Sequence, residues 1–82
     1  MARIYIVEDD ESIAELIAAT LQAAGHQTHI APDADHLAEA LRTGVPQLLL
    51  LDLMLPGKDG LTLLREWKQA SATQAVPVII LS

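Results

Sequence analysis

Leu48-Leu49-Leu50-Leu51-Asp52-Leu53-Met54-Leu55-Pro56-Gly57 is the stretch on which the fold turns. Four consecutive leucines cannot alternate between a wet and a dry face, so a strand built from them is expected to be covered on both sides, as a central parallel strand is. Toward the amino terminus, Arg3 to Val7 reads as a second apolar strand, β-branched or aromatic at Ile4, Tyr5, Ile6 and Val7, and it runs straight into an acidic turn. From Ser12, the residues Ile13, Leu16, Ile17, Leu21 and Ala24 recur at helical spacing, Ser12 with Glu15 fits a capping box, and Gly25 supplies the stop. His26 to Ile30 is a further strand whose polar content suggests a sheet edge. Asp33 or Asp35 can cap a short helix carrying Ala34, Leu37, Ala38 and Leu41, which Gly44 ends and Pro46 keeps from resuming. Toward the carboxyl terminus, the turn from Leu53 to Gly60 leads to a helix with Leu61, Leu64 and Trp67 on its apolar side. A polar loop then ends at Pro77, and Val78 to Leu81 reads as the fourth strand, followed by Ser82.

Apolar strands alternating with amphipathic helices are the pattern of an α/β fold with a parallel sheet and crossover helices. With 82 residues the chain has room for one domain, spanning 1–82. A chain of this size buries roughly 60% of the surface its unfolded form exposes, so the loss of any element would matter. Hydrophobic residues make up 51% of the sequence and only Tyr5 and Trp67 are aromatic, so the core has to be aliphatic. Eleven acidic residues against five basic ones give a formal charge of −6, which repels nucleic acid and anionic lipid. The absence of cysteine excludes disulfides and thiolate zinc sites and fits a cytoplasmic home. The leucine run from Leu48 to Leu51 is far short of the ~20 apolar residues that a spanning helix needs.

Open sheets of this kind bind ligands beyond the carboxyl ends of their strands. The first strand delivers Glu8, Asp9 and Asp10 there, the third Asp52 and the fourth Ser82. If the first and third strands are neighbours, several carboxylates converge with no basic residue near them in sequence. Two carboxylates ~4 Å apart repel by about 4 kcal/mol at an effective dielectric near 20, so a proton or a cation has to offset the repulsion. Hard oxygen donors of this kind suit Mg²⁺.

The segment Ile6-Val7-Glu8-Asp9-Asp10, followed by Leu50 to Gly57 and then Asp59-Gly60, resembles the receiver domain of bacterial two-component response regulators. The resemblance covers the whole chain, roughly two-thirds of a receiver domain of ~100–150 residues. It implies a flavodoxin-like open parallel sheet of order 2-1-3-4, in a sequence that stops before the family's fifth strand and last helices. It further implies that Asp52 is the phosphoacceptor, charged by a sensor histidine kinase or phosphotransfer protein. Asp9, Asp52 and the backbone carbonyl of Met54 would hold Mg²⁺, with Glu8 acting mainly through water. Ser82 would be the switch hydroxyl, and Asp10 would stand behind the site as a helix cap. The domain would be a regulatory phosphoacceptor and not an enzyme. The leucine-proline-glycine wording after Asp52 resembles regulators with winged-helix DNA-binding outputs. The family's catalytic lysine has no counterpart in this sequence, and Lys58, in the loop after Asp52, reads as a solvated surface residue.

Other readings compete less well. An aspartate-based phosphohydrolase would carry a second aspartate where Met54 stands, and a dinucleotide site would need a glycine-rich turn where Glu8-Asp9-Asp10-Glu11 stands. Asp10 and Asp59 read as helix caps, Trp67 as a packing residue, and His26, His29 and His36 as solvated or edge positions. The stronger rival is a non-switching fragment that self-associates, because an apolar fourth strand at a sheet edge is a template for pairing with a second copy.

Overall fold

The computed structural model describes residues 1–81. Four strands, β1 (Arg3–Val7), β2 (Gln27–Ala31), β3 (Leu48–Leu51) and β4 (Val78–Ile80), form one sheet of order β2-β1-β3-β4 with every pair parallel. Helices α1 (Glu11–Ala23), α2 (Ala34–Leu41) and α3 (Gly60–Gln69) make the crossovers. The sheet order and the flavodoxin-like class are those the sequence implies, with β2 at an edge.

The leucine run behaves as its composition demands. Leu49 and Leu51 join Tyr5, Val7, Leu37, Leu63 and Trp67 in a core on one face. Leu50 joins Ile4, Ile6 and Ala18 in a second core on the other face. Burying an aliphatic side chain of this size contributes about 2 kcal/mol, so a middle strand dry on both faces contributes twice per pair of residues where a half-wet strand contributes once. Tyr5 brings a hydroxyl into this interior, and the backbone carbonyls of Gly44 (2.7 Å) and Ala40 (3.1 Å) accept from it. Trp67 packs in the same core, and its indole Nε1 donates to the Val76 carbonyl at 3.2 Å.

Three local expectations are corrected. The cap of α1 is Asp10 and not Ser12: Asp10 is extended (φ −77, ψ 111) and its carboxylate accepts from the Ile13 amide at 3.0 Å. Asp and Ser are comparable caps, so the earlier eligible residue starts the helix and leaves Ser12 and Glu15 exposed within it. The buried side of α1 is Ala14 and Ala18, with Ile17 and Leu21 partly covered, whereas Ile13 and Leu16 are exposed. Alanine lets the helix lie close to the sheet, and that close approach sets its rotation. In α3 the inward residues are Gly60, Leu63 and Trp67, while Leu61 faces out. A Cβ on Gly60 would collide with the backbone of Leu53, and its amide donates to the Leu53 carbonyl at 3.2 Å, so this contact fixes the phase of the helix.

Boundaries shift slightly elsewhere. β2 starts one residue later than expected and ends at Ala31, and β4 ends at Ile80, although the Leu81 amide still bonds the Leu51 carbonyl at 2.9 Å. Asp33, and not Asp35, caps α2 by accepting from the His36 amide at 2.9 Å. Gly25, with φ +93, turns the chain out of α1 as expected.

Candidate functional site

The registers Val7↔Ala31 and Val7↔Leu51 bring the carboxyl ends of β2, β1 and β3 level. The residues that follow are locked there by backbone bonds: the Asp52 amide donates to the Val7 carbonyl at 2.9 Å, and the Glu8 amide to the Ala31 carbonyl at 3.2 Å. Glu8 and Asp52 therefore leave adjacent strand ends side by side. Carboxylate oxygens of Glu8, Asp9 and Asp52 lie within 4.8 Å of one another. Among the described residues this is the group of acidic side chains placed to hold a cation.

The three carboxylates are not equivalent. Glu8 and Asp52 are buried, at 5% and 6% exposure, whereas Asp9 is open to water. Burial pushes the Glu8 carboxyl up to about 7, helped by its hydrogen bonding to Asp52 and Asp9 and by the Asp52 charge, and opposed by the Asp10 amide that donates to Glu8 Oε2 at 3.2 Å. With only the protein's own charges in the cleft, Glu8 thus keeps its proton well above the pH at which an ordinary glutamate loses it. This is the cost that the sequence implied for carboxylates converging without a base. A divalent cation would offset the same repulsion, and the donors are all hard oxygens, so the residues present fit such an ion.

The β3–α3 loop completes the site. The Met54 amide donates to Asp52 Oδ1 at 2.9 Å, which fixes one oxygen of that carboxylate. Sequence reasoning gave Met54 a role through its carbonyl and missed this amide, although an Asp two residues before an exposed turn amide is a recurrent Asx arrangement. It also missed Gly60, whose close backbone approach to Leu53 anchors the far end of the loop. Asp10 takes the expected supporting place, capping α1 while its own amide touches Glu8. Lys58 is a surface residue, as the sequence suggests, and it pairs with Glu66 on α3 at 2.6 Å. None of the histidines joins the cluster. His26 accepts from the Ala2 amide at 3.0 Å, the His29 ring lies 5.6 Å from that of Tyr5, and His36 pairs with Asp33 at 2.7 Å. Ser82 lies outside the described residues.

Comparison with known proteins agrees with this geometry. The family model for the response regulator receiver domain matches residues 4–82. The transcriptional regulatory protein DltR of Streptococcus agalactiae is 40% identical over 80 residues, covering 98% of this chain and 35% of its own length. The chain therefore spans about a third of the length of that curated relative. The N-terminal domain of a response regulator receiver protein from Methanoculleus marisnigri superposes with a TM-score of 0.93 at 30% identity, over 100% of this chain and 67% of that one. The Mn(2+)-bound form of response regulator Rcp1 does so with a TM-score of 0.85 at 30% identity, over 98% and 64%. No helix among the described residues is long and apolar enough to cross a membrane. An acidic cleft at the ends of β1 and β3, the sheet order and the match along nearly the full length point one way: this chain belongs to the response regulator receiver domain family.

Proposed function

We propose that residues 1–82 act as one receiver unit in two-component signal transduction, in which Asp52 accepts a phosphoryl group from the phosphohistidine of a sensor histidine kinase or phosphotransfer protein. The observation that carries this reading is the convergence of Glu8, Asp9 and Asp52 within 4.8 Å at the strand ends of a family member. Glu8, Asp9, Asp52 and the Met54 carbonyl would hold Mg²⁺, and the Mn²⁺ named for the Rcp1 structure supports a divalent ion in such a cleft. When bound, the ion neutralises charge on the transferring phosphoryl oxygens.

The chain's own residues position the acceptor. The Met54 amide donates to Asp52 Oδ1 and so fixes the carboxylate that attacks phosphorus; the new O–P bond forms as the P–N bond to the donor imidazole breaks, and that nitrogen leaves with the electron pair. Glu8 must give up its proton for the cleft to reach full charge, and Asp9, exposed at the mouth, is the carboxylate a hydrated ion meets first. Ser82 is proposed as the hydroxyl that meets the phosphoryl oxygen. The protein regulates and is not itself an enzyme; it works in the cytoplasm, with no nucleic acid or membrane contact through this chain. The output it serves is transcriptional, by analogy with the regulator DltR.

Incubation with acetyl phosphate and Mg²⁺, followed by intact-mass measurement, tests the reading. A single phosphoryl adduct that Asp52→Asn abolishes is expected. An adduct that survives Asp52→Asn, or none under conditions where the protein is folded, would sink it.

One observation favours a second reading. Among the described residues β4 is the outer strand of the sheet, and Ile79 and Ile80 on it are 52% and 41% exposed, so a second copy can pair there. Sedimentation velocity separates the two readings: association that Asp52→Asn leaves unchanged and Ile79→Lys abolishes belongs to the edge and not to phosphorylation.

A further inference from the structure

Helices α2 and α3 cover the same face of the sheet, yet an open cleft of about 680 Å³ remains between them. That volume lies within the ~300–1,000 Å³ typical of small-molecule sites. Its floor is apolar, formed by the buried Leu37, Leu63 and Trp67. The polar groups of the floor are already engaged: Trp67 Nε1 donates to the Val76 carbonyl at 3.2 Å, and Thr73 Oγ1 to the Trp67 carbonyl at 2.7 Å. The donors of the floor side chains are therefore all engaged, and an occupant finds mainly apolar area to bury.

Charge is confined to the rim and is one-sided. Asp33, Asp35 and Glu66 stand there, Asp33 already paired with His36 at 2.7 Å and Glu66 with the single ammonium of the rim, Lys58, at 2.6 Å, so the excess of negative charge centres on Asp35. An anionic occupant would meet repulsion at the mouth, and a phosphate would find no built cradle. A second copy of this chain, which carries a formal charge of −6, would bring acidic surface against the acidic mouth of this cleft, unlike the uncharged edge that Ile79 and Ile80 offer on β4.

We propose that the cleft between α2 and α3 is a binding site for a small amphiphilic cation, an aromatic or aliphatic body carrying one ammonium group. The body lies on Leu37, Leu63 and Trp67, and the ammonium sits at the mouth beside the carboxylate of Asp35. Pro56, Gly57 and Lys58 of the loop that follows Asp52 form one wall. Occupation therefore restrains the loop that carries Met54. The site does not depend on Asp52 being phosphorylated.

Trp67 is the single tryptophan in the chain, so its emission reports the cleft directly. The probes are 3-phenylpropylammonium, 3-phenylpropanol and 3-phenylpropionate, which share one apolar body and differ in charge. A saturable change in Trp67 emission is expected with the ammonium, with affinity on the order of tenfold above the carboxylate. Amide shifts should be confined to 33–41 and 56–73. Ala38→Leu, which narrows the cleft from an exposed helix position, should weaken binding while leaving amide dispersion intact, and Asp35→Asn should shrink the advantage of the ammonium over the alcohol. Equal binding of ammonium and carboxylate, or no saturable change at all, overturns the proposal. So do shifts centred on Glu8 and Asp52, which would make the probe a counterion of the other cleft. Trp67 emission that depends on protein concentration without any probe also overturns it, because a second copy would then fill the cleft.

Discussion

At the strand ends, Glu8 is buried beside Asp52 and its carboxyl is pushed up to about 7; at the start of α2, Asp33 stands in solvent beside His36 and its carboxyl is held below the ordinary 3.8. The residue types are nearly the same and the direction of titration is opposite. In the first region desolvation is the largest cause and the neighbours are like charges; in the second the largest cause is hydrogen bonding from the His36 amide and then its ring, which outweighs a smaller desolvation. The contrast separates a carboxylate that the fold disfavours from one that supports the fold. A protein keeps the first kind where function requires it, because every replacement that removes the charge should stabilise the molecule.

Removal of the Glu8 charge gives the largest expected effect. The folded-state pKa of Glu8 lies above its unfolded value, so between pH 4.5 and about 7 the folded protein binds the extra proton. Stability is fully present below the unfolded pKa and falls as pH rises through that window, by about 3 kcal/mol at most. Glu8→Gln should abolish this loss, leaving the variant more stable than the parent above pH 7 and nearly equal to it at pH 4.5. Urea unfolding at a series of pH values in a chelating buffer measures it. A parent whose stability does not fall across the window would mean that the cleft is wetter than its burial indicates. Adding Mg²⁺ should shrink the difference between parent and variant, since a cation takes over the role of the proton.

Much of this contrast was legible in the sequence. Four leucines ending in an aspartate fixed β3 as a two-sided strand, and the acidic turn after β1 then had to lie near Asp52 once the two strands paired. The convergence of charge and its cost followed from that. The rotation of α1 and α3 did not follow, because hydrophobicity alone ranks Ile13 and Leu61 as inward. What decided the rotation was closeness of approach, through Ala14 and Ala18 in one helix and Gly60 in the other, and small residues carry no signal on a hydrophobic scale. The cleft between α2 and α3 was illegible for a related reason: every residue lining it reads as ordinary core or ordinary surface, and only the separation of two helices makes a space of them.

A smaller effect should come from Asp52→Asn. It removes the charge that raises Glu8 but leaves the burial of Glu8 in place, and burial is the larger cause. The Glu8 carboxyl should move partway back toward 4.5, and the gain in stability above pH 7 should be on the order of 1 kcal/mol, less than that of Glu8→Gln. Carbon-detected NMR titration of the Glu8 side-chain carboxyl reads the shift directly. If Asp52→Asn stabilised as much as Glu8→Gln, charge and not desolvation would be the dominant cause, and the comparison with Asp33 would reduce to the sign of the neighbour.

The smallest effect belongs to the exposed pair. Asp33 holds His36 above its ordinary 6.5, first by their side-chain hydrogen bond and then by charge, and His36 holds Asp33 down in return. The signs differ from those at Glu8. The share of stability from Asp33 is present above pH 3.8 and lost as pH falls through its depressed folded pKa, and the share from His36 is present below pH 6.5 and lost as pH rises through its raised one. The pair is therefore most stabilising between the two, where both partners are charged, and solvent screens it throughout. Asp33→Asn keeps a side-chain oxygen that can accept from the His36 amide, so the α2 cap survives while the charge is lost. His36 should then titrate near its ordinary value in a proton NMR titration, with stability at pH 5 falling only slightly and less than Asp52→Asn changes it at high pH. A larger loss would mean that the carboxylate of Asp33, and not its capping oxygen, holds the start of α2, and that the exposed region depends on charge as much as the buried one does.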